Sequence, residues 1–427
     1  MRVAIVVLML CFSAELTAQV SVSLYTSSMY DDNSFAFYEK REDVYHALFG
    51  AVSAGFSGEH SYHQGYYYGA LVLFRTYADR TYNIHTLGSY SQFQLNYRND
   101  GSESAAAMSH ELYAHQSGPS PPPADVAIEQ EVFSDSLVSY LFVIPQVGMR
   151  LDHDNWDFYD FNRGSLLLRL RRHVAGDLMS RLYYTIQYKQ YPNLEQFTHV
   201  EHYAGALFSH ALGSGWELFG SADGGFKSYT ASMSDTLWVS DGKPGKGKGG
   251  IKPPVAVISQ FSTPSTAQFV FSGGLSYRLF ARAPLSLSYV RRSNPSTDAR
   301  YVREDAIFGL SEDEIFDDRY GYQADELRLQ MDGTLPGNIR TTNVLAFLQK
   351  DYPRTATDLN GVARPGAPQR VDNRVELRLQ ALYPFFRNSA GKGLSVGLAY
   401  NYIRNRSNNA YHDYNINQVA LVLSGDW

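Results

Sequence analysis

Cysteine is almost missing from this 427-residue chain: the one present, Cys11, sits in the N-terminal stretch, so no disulfide framework can hold the rest together. Long apolar runs are missing too. After residue 20 the longest, LVSYLFVIPQVGM at 137–149, is broken by Ser139, Pro145 and Gln146, well short of the ~20 residues that a membrane-spanning helix needs. There is no excess of positive charge. The formal net charge is −6, which gives no global basic field and argues against a nucleic-acid partner. A sustained helical period is also absent, so the fold must be built from strands.

The N-terminus, MRVAIVVLMLCFSAELTAQV, has Arg2 as a short positive region, Val3 to Phe12 as an apolar run, and Ala18 as a small residue before Gln19. This layout predicts a signal peptide over 1–18, cleaved on export, with Cys11 lying in its apolar run.

What the chain does have is alternation. RVDNRVELRLQALY sets Val371, Val375, Leu377, Leu379, Ala381 and Tyr383 against Asp372, Arg374, Glu376, Arg378 and Gln380. DELRLQMDG sets Leu327, Leu329 and Met331 against Arg328, Gln330 and Asp332, and AQFVFSGGLSYRL repeats the pattern. A period of two is the signature of strands with one apolar and one polar face. About sixteen strands are predicted, starting near 20, 44, 64, 81, 136, 164, 179, 199, 216, 266, 285, 325, 339, 371, 394 and 415. Tight turns such as Gly213-Ser214-Gly215 alternate with long polar connections at 152–163, 227–265, 292–324 and 352–369. The Ser/Ala/Pro-rich segment 99–130 breaks the rhythm, because strand parity puts this long low-complexity insertion on the tight-turn side.

Alternation alone fits a soluble sandwich or a membrane barrel. The short–long rhythm, the aromatic content (32 Tyr, 24 Phe) and the last strand favour the barrel. Tyr183-Tyr184, Tyr66 to Tyr68, Tyr400, Tyr402 and Phe385-Phe386 are read as interfacial girdles. The closing QVALVLSGDW places Val419, Leu421, Leu423 and Trp427 on one face. With the N-terminal stretch and the alternating strands, it resembles the Gram-negative outer-membrane β-barrel proteins. The resemblance implies an all-β, transmembrane, antiparallel up-and-down barrel of about 14–16 strands over 19–427. It also implies a bacterial outer-membrane location, with outer-membrane lipid around the barrel and the barrel-assembly machinery reading the last strand. Hydrocarbon leaves no unpaired strand edge, so the last strand must pair with the first, near QVSVSLYTSSMY.

In such a barrel the polar faces line the lumen. Arg169, Arg171, Arg181, Lys189, Arg328, Arg374 and Arg378 would face it together with Asp223, Asp332, Asp372 and Glu376. Mixed charge around a water-filled bore sets a transverse field. The expectation is a porin-like channel for passive diffusion of small hydrophilic solutes. The alternatives are surface loops that bind or export a protein or polysaccharide, and a plugged structural barrel. No cofactor and no enzymatic activity are expected. GKPGKGKGG (242–250) has Gly249 where a phosphate loop needs Ser or Thr, and reads as a basic surface loop. Asp152, Asp154, Asp157 and Asp160 are calcium candidates, but Asp157 stands where the EF-hand glycine belongs. EDAIFGLSEDEIFDDRY (304–320), with Ser311 and Glu314 at capping-box spacing, could fold inward and narrow the bore. Ser209-His210 and His412-Asp413 are the nearest approaches to a catalytic pair, yet neighbours on a strand face opposite ways.

Overall fold

The computed structural model describes residues 19–34, 36, 38–95, 139–175, 178–230, 233–239, 255–261, 265–280, 283–295, 319–356, 366–387 and 393–426. Eighteen strands follow in chain order: β1 (Gln19–Asp31), β2 (Asp43–Ser57), β3 (Ser61–Phe74), β4 (Tyr82–Gln94), β5 (Tyr140–Asp152), β6 (Phe161–Ala175), β7 (Leu178–Gln190), β8 (His199–Gly213) and β9 (Trp216–Tyr229). They continue as β10 (Met233–Val239), β11 (Val255–Phe261), β12 (Thr266–Phe280), β13 (Ala283–Ser293), β14 (Gln323–Leu335), β15 (Ile339–Thr355), β16 (Gln369–Arg387), β17 (Gly393–Ser407) and β18 (Tyr414–Asp426). Sixteen of them close into one antiparallel up-and-down barrel, in which β9 passes directly to β12 and β18 returns to β1. All sixteen predicted starts lie within four residues of a barrel strand.

The register is self-consistent around the circle. Leu24 pairs with Gly425, Thr26 with Leu423 and Ser28 with Leu421, so the apolar side of β18 continues onto the outer side of β1. Outward positions carry apolar side chains with nothing over them: Leu398 is 63% exposed and Leu421 57%. A belt of this kind costs about 25 cal/mol for every Å² left in water, and a bilayer removes that cost.

Connections sort by rim. On the rim that holds the end of β18 they span 58–60, 176–177, 214–215, 281–282, 336–338 and 388–392. Ser214 takes φ +52° between two positive-φ glycines, and Asn338 takes +61°, so these turns are as tight as the backbone allows. The connection 95–139 leaves β4 and returns to β5 on this same rim, so the parity argument needs no missing strand. Residues 96–138 themselves, and with them the insertion 99–130, lie outside the described residues, as do 1–18.

Three expectations need correction. The stretch 227–265 is not a plain loop. Lys227–Tyr229 finish β9, and β10 and β11 form a separate two-stranded hairpin beyond the barrel. Likewise the stretch 292–324 is shorter than read, since β13 runs through Ser293 and β14 begins at Gln323. The aromatic residues do not all form girdles. Tyr66, Tyr68 and Tyr183 share the inner face with Ser53, Ala51 and Arg169, whereas Tyr67, Tyr184, Tyr400 and Tyr402 share the outer one. Adjacent aromatics on a strand must split between faces.

Candidate pore lumen

The inner face can be followed strand by strand. On β6 and β7 the register sets Arg171 opposite Arg181, Arg169 opposite Tyr183, and Arg163 opposite Lys189. On the other flank, β5 sets Tyr140 against Arg171 and Phe142 against Arg169. No carboxylate stands at these cross-strand positions, so cationic side chains are stacked along one wall. Aromatic rings support them: Arg169 lies 5.9 Å from the Phe142 ring, and Lys189 lies 4.3 Å from Phe161 and 4.8 Å from Tyr191.

Across the bore, β16 is eight strands from β6 in either direction, and its chemistry differs. Glu376 sits between Arg374, at 3.3 Å, and Arg378, with which it makes a short ion pair. On β14, Glu326 sits between Arg292 at 3.0 Å and Arg328 at 2.6 Å. Asp372 pairs with Arg370 at 2.5 Å and accepts from Ser407 at 2.6 Å. Asp332 accepts from Gln330. Asp223, on β9, accepts from Tyr183 and from Ser221 at 3.1 Å. The register puts the eleven residues singled out above on the inner face: Arg169, Arg171, Arg181 and Lys189 on β6–β7, Arg328 and Asp332 on β14, Asp372, Arg374, Glu376 and Arg378 on β16, and Asp223 apart on β9.

One arc of the inner face was not foreseen. On β1–β4 it is apolar: Tyr45, Phe49, Val72, Phe74, Tyr82 and Ile84 form a buried cluster with Tyr25, Met29 and Tyr68 packed against it. Rings meet at 5.3 Å (Tyr45–Phe74) and 5.5 Å (Tyr25–Phe49). The signal was present as runs apolar on both faces, HALFGAV at 46–52 and YYYGALVLF at 66–74.

The outer mouth is braced. Arg80, in the β3–β4 connection, donates to the Ser34 carbonyl at 2.7 Å and lies over the rings of Phe74 and Trp156 at 5.2 and 5.4 Å. Burial holds its guanidinium pKa below the ordinary value. From the β13–β14 connection, Tyr320 turns inward. Its hydroxyl donates to Glu201 at 2.8 Å, Lys227 stands 4.9 Å from its ring, and Asn294 donates to its carbonyl at 2.5 Å. Gly225 leaves the room, since a Cβ there would collide with the Tyr320 hydroxyl. Tyr320 thus packs against the inner face, while 304–318, on which the inward-folding reading rests, lie outside the described residues.

Of the calcium candidates, Asp152 and Asp160 have their carboxylates engaged otherwise. Asp152 pairs with Arg150 at 2.7 Å, and its N–H donates to Asp160 at 2.6 Å. The Asp157 carbonyl accepts from Asn193 at 2.9 Å, and the Asp154 side chain lies outside the described residues. Among the described residues no three His, Cys, Asp or Glu side chains gather as a metal shell. Ser209 is buried on the inner face and His210 exposed on the outer. His412 and Asp413 lie in the β17–β18 connection rather than on a strand, with Asp413 paired to Arg404 at 2.7 Å. Residues 242–250 and Trp427 lie outside the described residues, whereas Val419, Leu421 and Leu423 are exposed on the outer face.

No family model and no curated protein matches the chain. Solved structures do. It is similar to OpdL of Pseudomonas aeruginosa at 10% identity and a TM-score of 0.45, over 96% of this chain and 99% of that one. It is similar to the outer membrane protein OprD of the same organism at 12% and 0.44, over 97% and 95%. To OccAB1 of Acinetobacter baumannii it is similar at 11% and 0.48, over 97% and 99%.

Proposed function

We propose that the chain is a porin-like channel of the bacterial outer membrane for passive diffusion of small hydrophilic solutes, with a preference for anions. The observation that supports this most is the pairing of an apolar outer belt with an inner face carrying stacked Arg163, Arg169, Arg171 and Arg181 on one side. Cationic side chains stacked along one wall of a water-filled bore raise the local concentration of anions. The apolar arc on β1–β4 thickens one side, so the aqueous path runs along the charged walls. In planar bilayers the purified chain is expected to give steady conductance steps with an anion-selective reversal potential in a KCl gradient. The Arg169→Glu, Arg171→Glu, Arg181→Glu variant is expected to reverse the sign. A folded barrel that passes no current overturns the channel in favour of a plugged structural barrel.

A further inference from the structure

Between β13 and β16 the outer surface holds a groove of about 330 Å³. Its lower part is walled by Leu327, Phe347 and Val375. Nearer the long-connection rim it is walled by Asp325, Gln349 and Asn373. The groove therefore straddles the line where the apolar belt gives way to polar side chains. Asp325 is already neutralised, since it accepts from Tyr289 and pairs with Arg291. The next strand brings positive charge to the upper end: Asn373 is registered with Arg406, and Val375 with Arg404. Arg404 is held by Asp413 at 2.7 Å. Arg406 is exposed and has no ion-pair or hydrogen-bond partner among the described residues, and neither does the Asn373 carboxamide.

Gln349 donates to Asp351 at 3.3 Å, which leaves its carboxamide oxygen to accept. An apolar trough topped by that oxygen, the Asn373 carboxamide and an uncommitted guanidinium is complementary to one kind of molecule. Acyl chain fills the trough, an anionic oxygen cluster meets Arg406, and hydroxyl groups meet Asn373 and the Gln349 oxygen. We infer that this groove binds a phosphorylated, acylated glycolipid of the surrounding outer leaflet, with the phosphate on Arg406. Arginine suits phosphate because its planar fork presents two parallel donors. The inference rests on the membrane placement proposed above, not on conduction through the bore.

The test uses the full chain in nonionic detergent, incubated with a synthetic phosphorylated, acylated glucosamine disaccharide and read by native mass spectrometry. Wild type is expected to retain one lipid. The Arg406→Ala, Asn373→Leu variant is expected to lose that occupancy at least tenfold, and Arg406→Lys to keep part of it. The same disaccharide without phosphate is expected to bind at the level of the double variant, and millimolar inorganic phosphate to displace the lipid only weakly. Equal occupancy in wild type and double variant overturns the site, as does equal binding of the phosphate-free lipid or full displacement by inorganic phosphate. Heat-dependent gel migration verifies that each variant is folded; Arg406→Gln replaces any that is not. A wild type that conducts yet retains no lipid defeats this site alone, whereas a chain that stays in solution without detergent defeats the membrane placement itself.

Discussion

At the scale of single residues, Asp32 and Gly225 show how much depends on close approach. Asp32 joins the two ends of the chain: its carboxylate accepts from the Asn417 N–H at 2.6 Å, from the Asn417 carboxamide at 2.9 Å and from Lys40 at 2.6 Å. Burial opposes its charge, but the hydrogen bonds from Lys40 and Asn417 outweigh it and hold the pKa below the ordinary carboxylate value. The unfolded chain thus binds this proton more tightly than the folded one. The stabilisation is complete above an unfolded pKa of about 3.9 and is lost as pH falls through the lower folded value. Asp32→Ala is expected to cost about 1–3 kcal/mol at pH 7, an amount usual for hydrogen bonds to a charged group. Thermal gel-shift midpoints of variant and wild type should converge as pH falls below the ordinary carboxylate range; a constant gap would assign the effect to packing. Gly225→Ala is expected to destabilise by about 1–3 kcal/mol through overpacking against Tyr320. In a double-mutant cycle Tyr320→Phe should recover part of that loss, and additive losses would refute the contact. Nothing in the sequence announces this pair. Tyr320 and Glu201 are 119 positions apart, and only the barrel's curvature brings them together. The triplet Arg374-Glu376-Arg378 and the pair Glu326-Arg328, by contrast, can be read directly, because neighbours two apart share a face.

At the scale of elements, the period of two carries nearly all the legible information. It placed the barrel strands because each must offer lipid a continuous apolar row, a demand that leaves its mark on every second residue. It failed where that demand is absent. β10 and β11 have seven residues each and, among the described residues, pair with one another apart from the barrel sheet, so no row was imposed on them. On β2 and β3 it placed the strands but not their inner lining, where Tyr45, Phe49, Val72 and Phe74 make an apolar arc. Deleting 233–261 is expected to leave the heat-dependent migration of the barrel within a few degrees of wild type, because β9 pairs directly with β12. Leu379→Arg, on the outer face of β16 beside Tyr400, is expected to cost about 2–4 kcal/mol in lipid vesicles. Arg378→Leu, one residue away on the inner face, should cost less in stability and show itself in ion selectivity. If both variants behave alike, the facing of β16 is wrong.

At the scale of the whole molecule, the two rims give the barrel its polarity. The short connections share a rim with the end of β18 and with the excursion 95–139, and the connection that carries β10 and β11 leaves from the other. A protease site placed within 99–130 is therefore expected to be cut only from the periplasmic side, and one placed within 242–250 only in intact cells treated from outside. Cleavage of both from the same side would dismantle the topology. The closing pair follows from the same geometry. Gln418 donates to Asp31 across 387 positions, and β1 is flanked by β18 on one side and β2 on the other. Since β18 is the last barrel strand among the described residues, ring closure is the final pairing this sheet can make, and a chain cut just before β18 leaves β1 and β17 each with a bare flank.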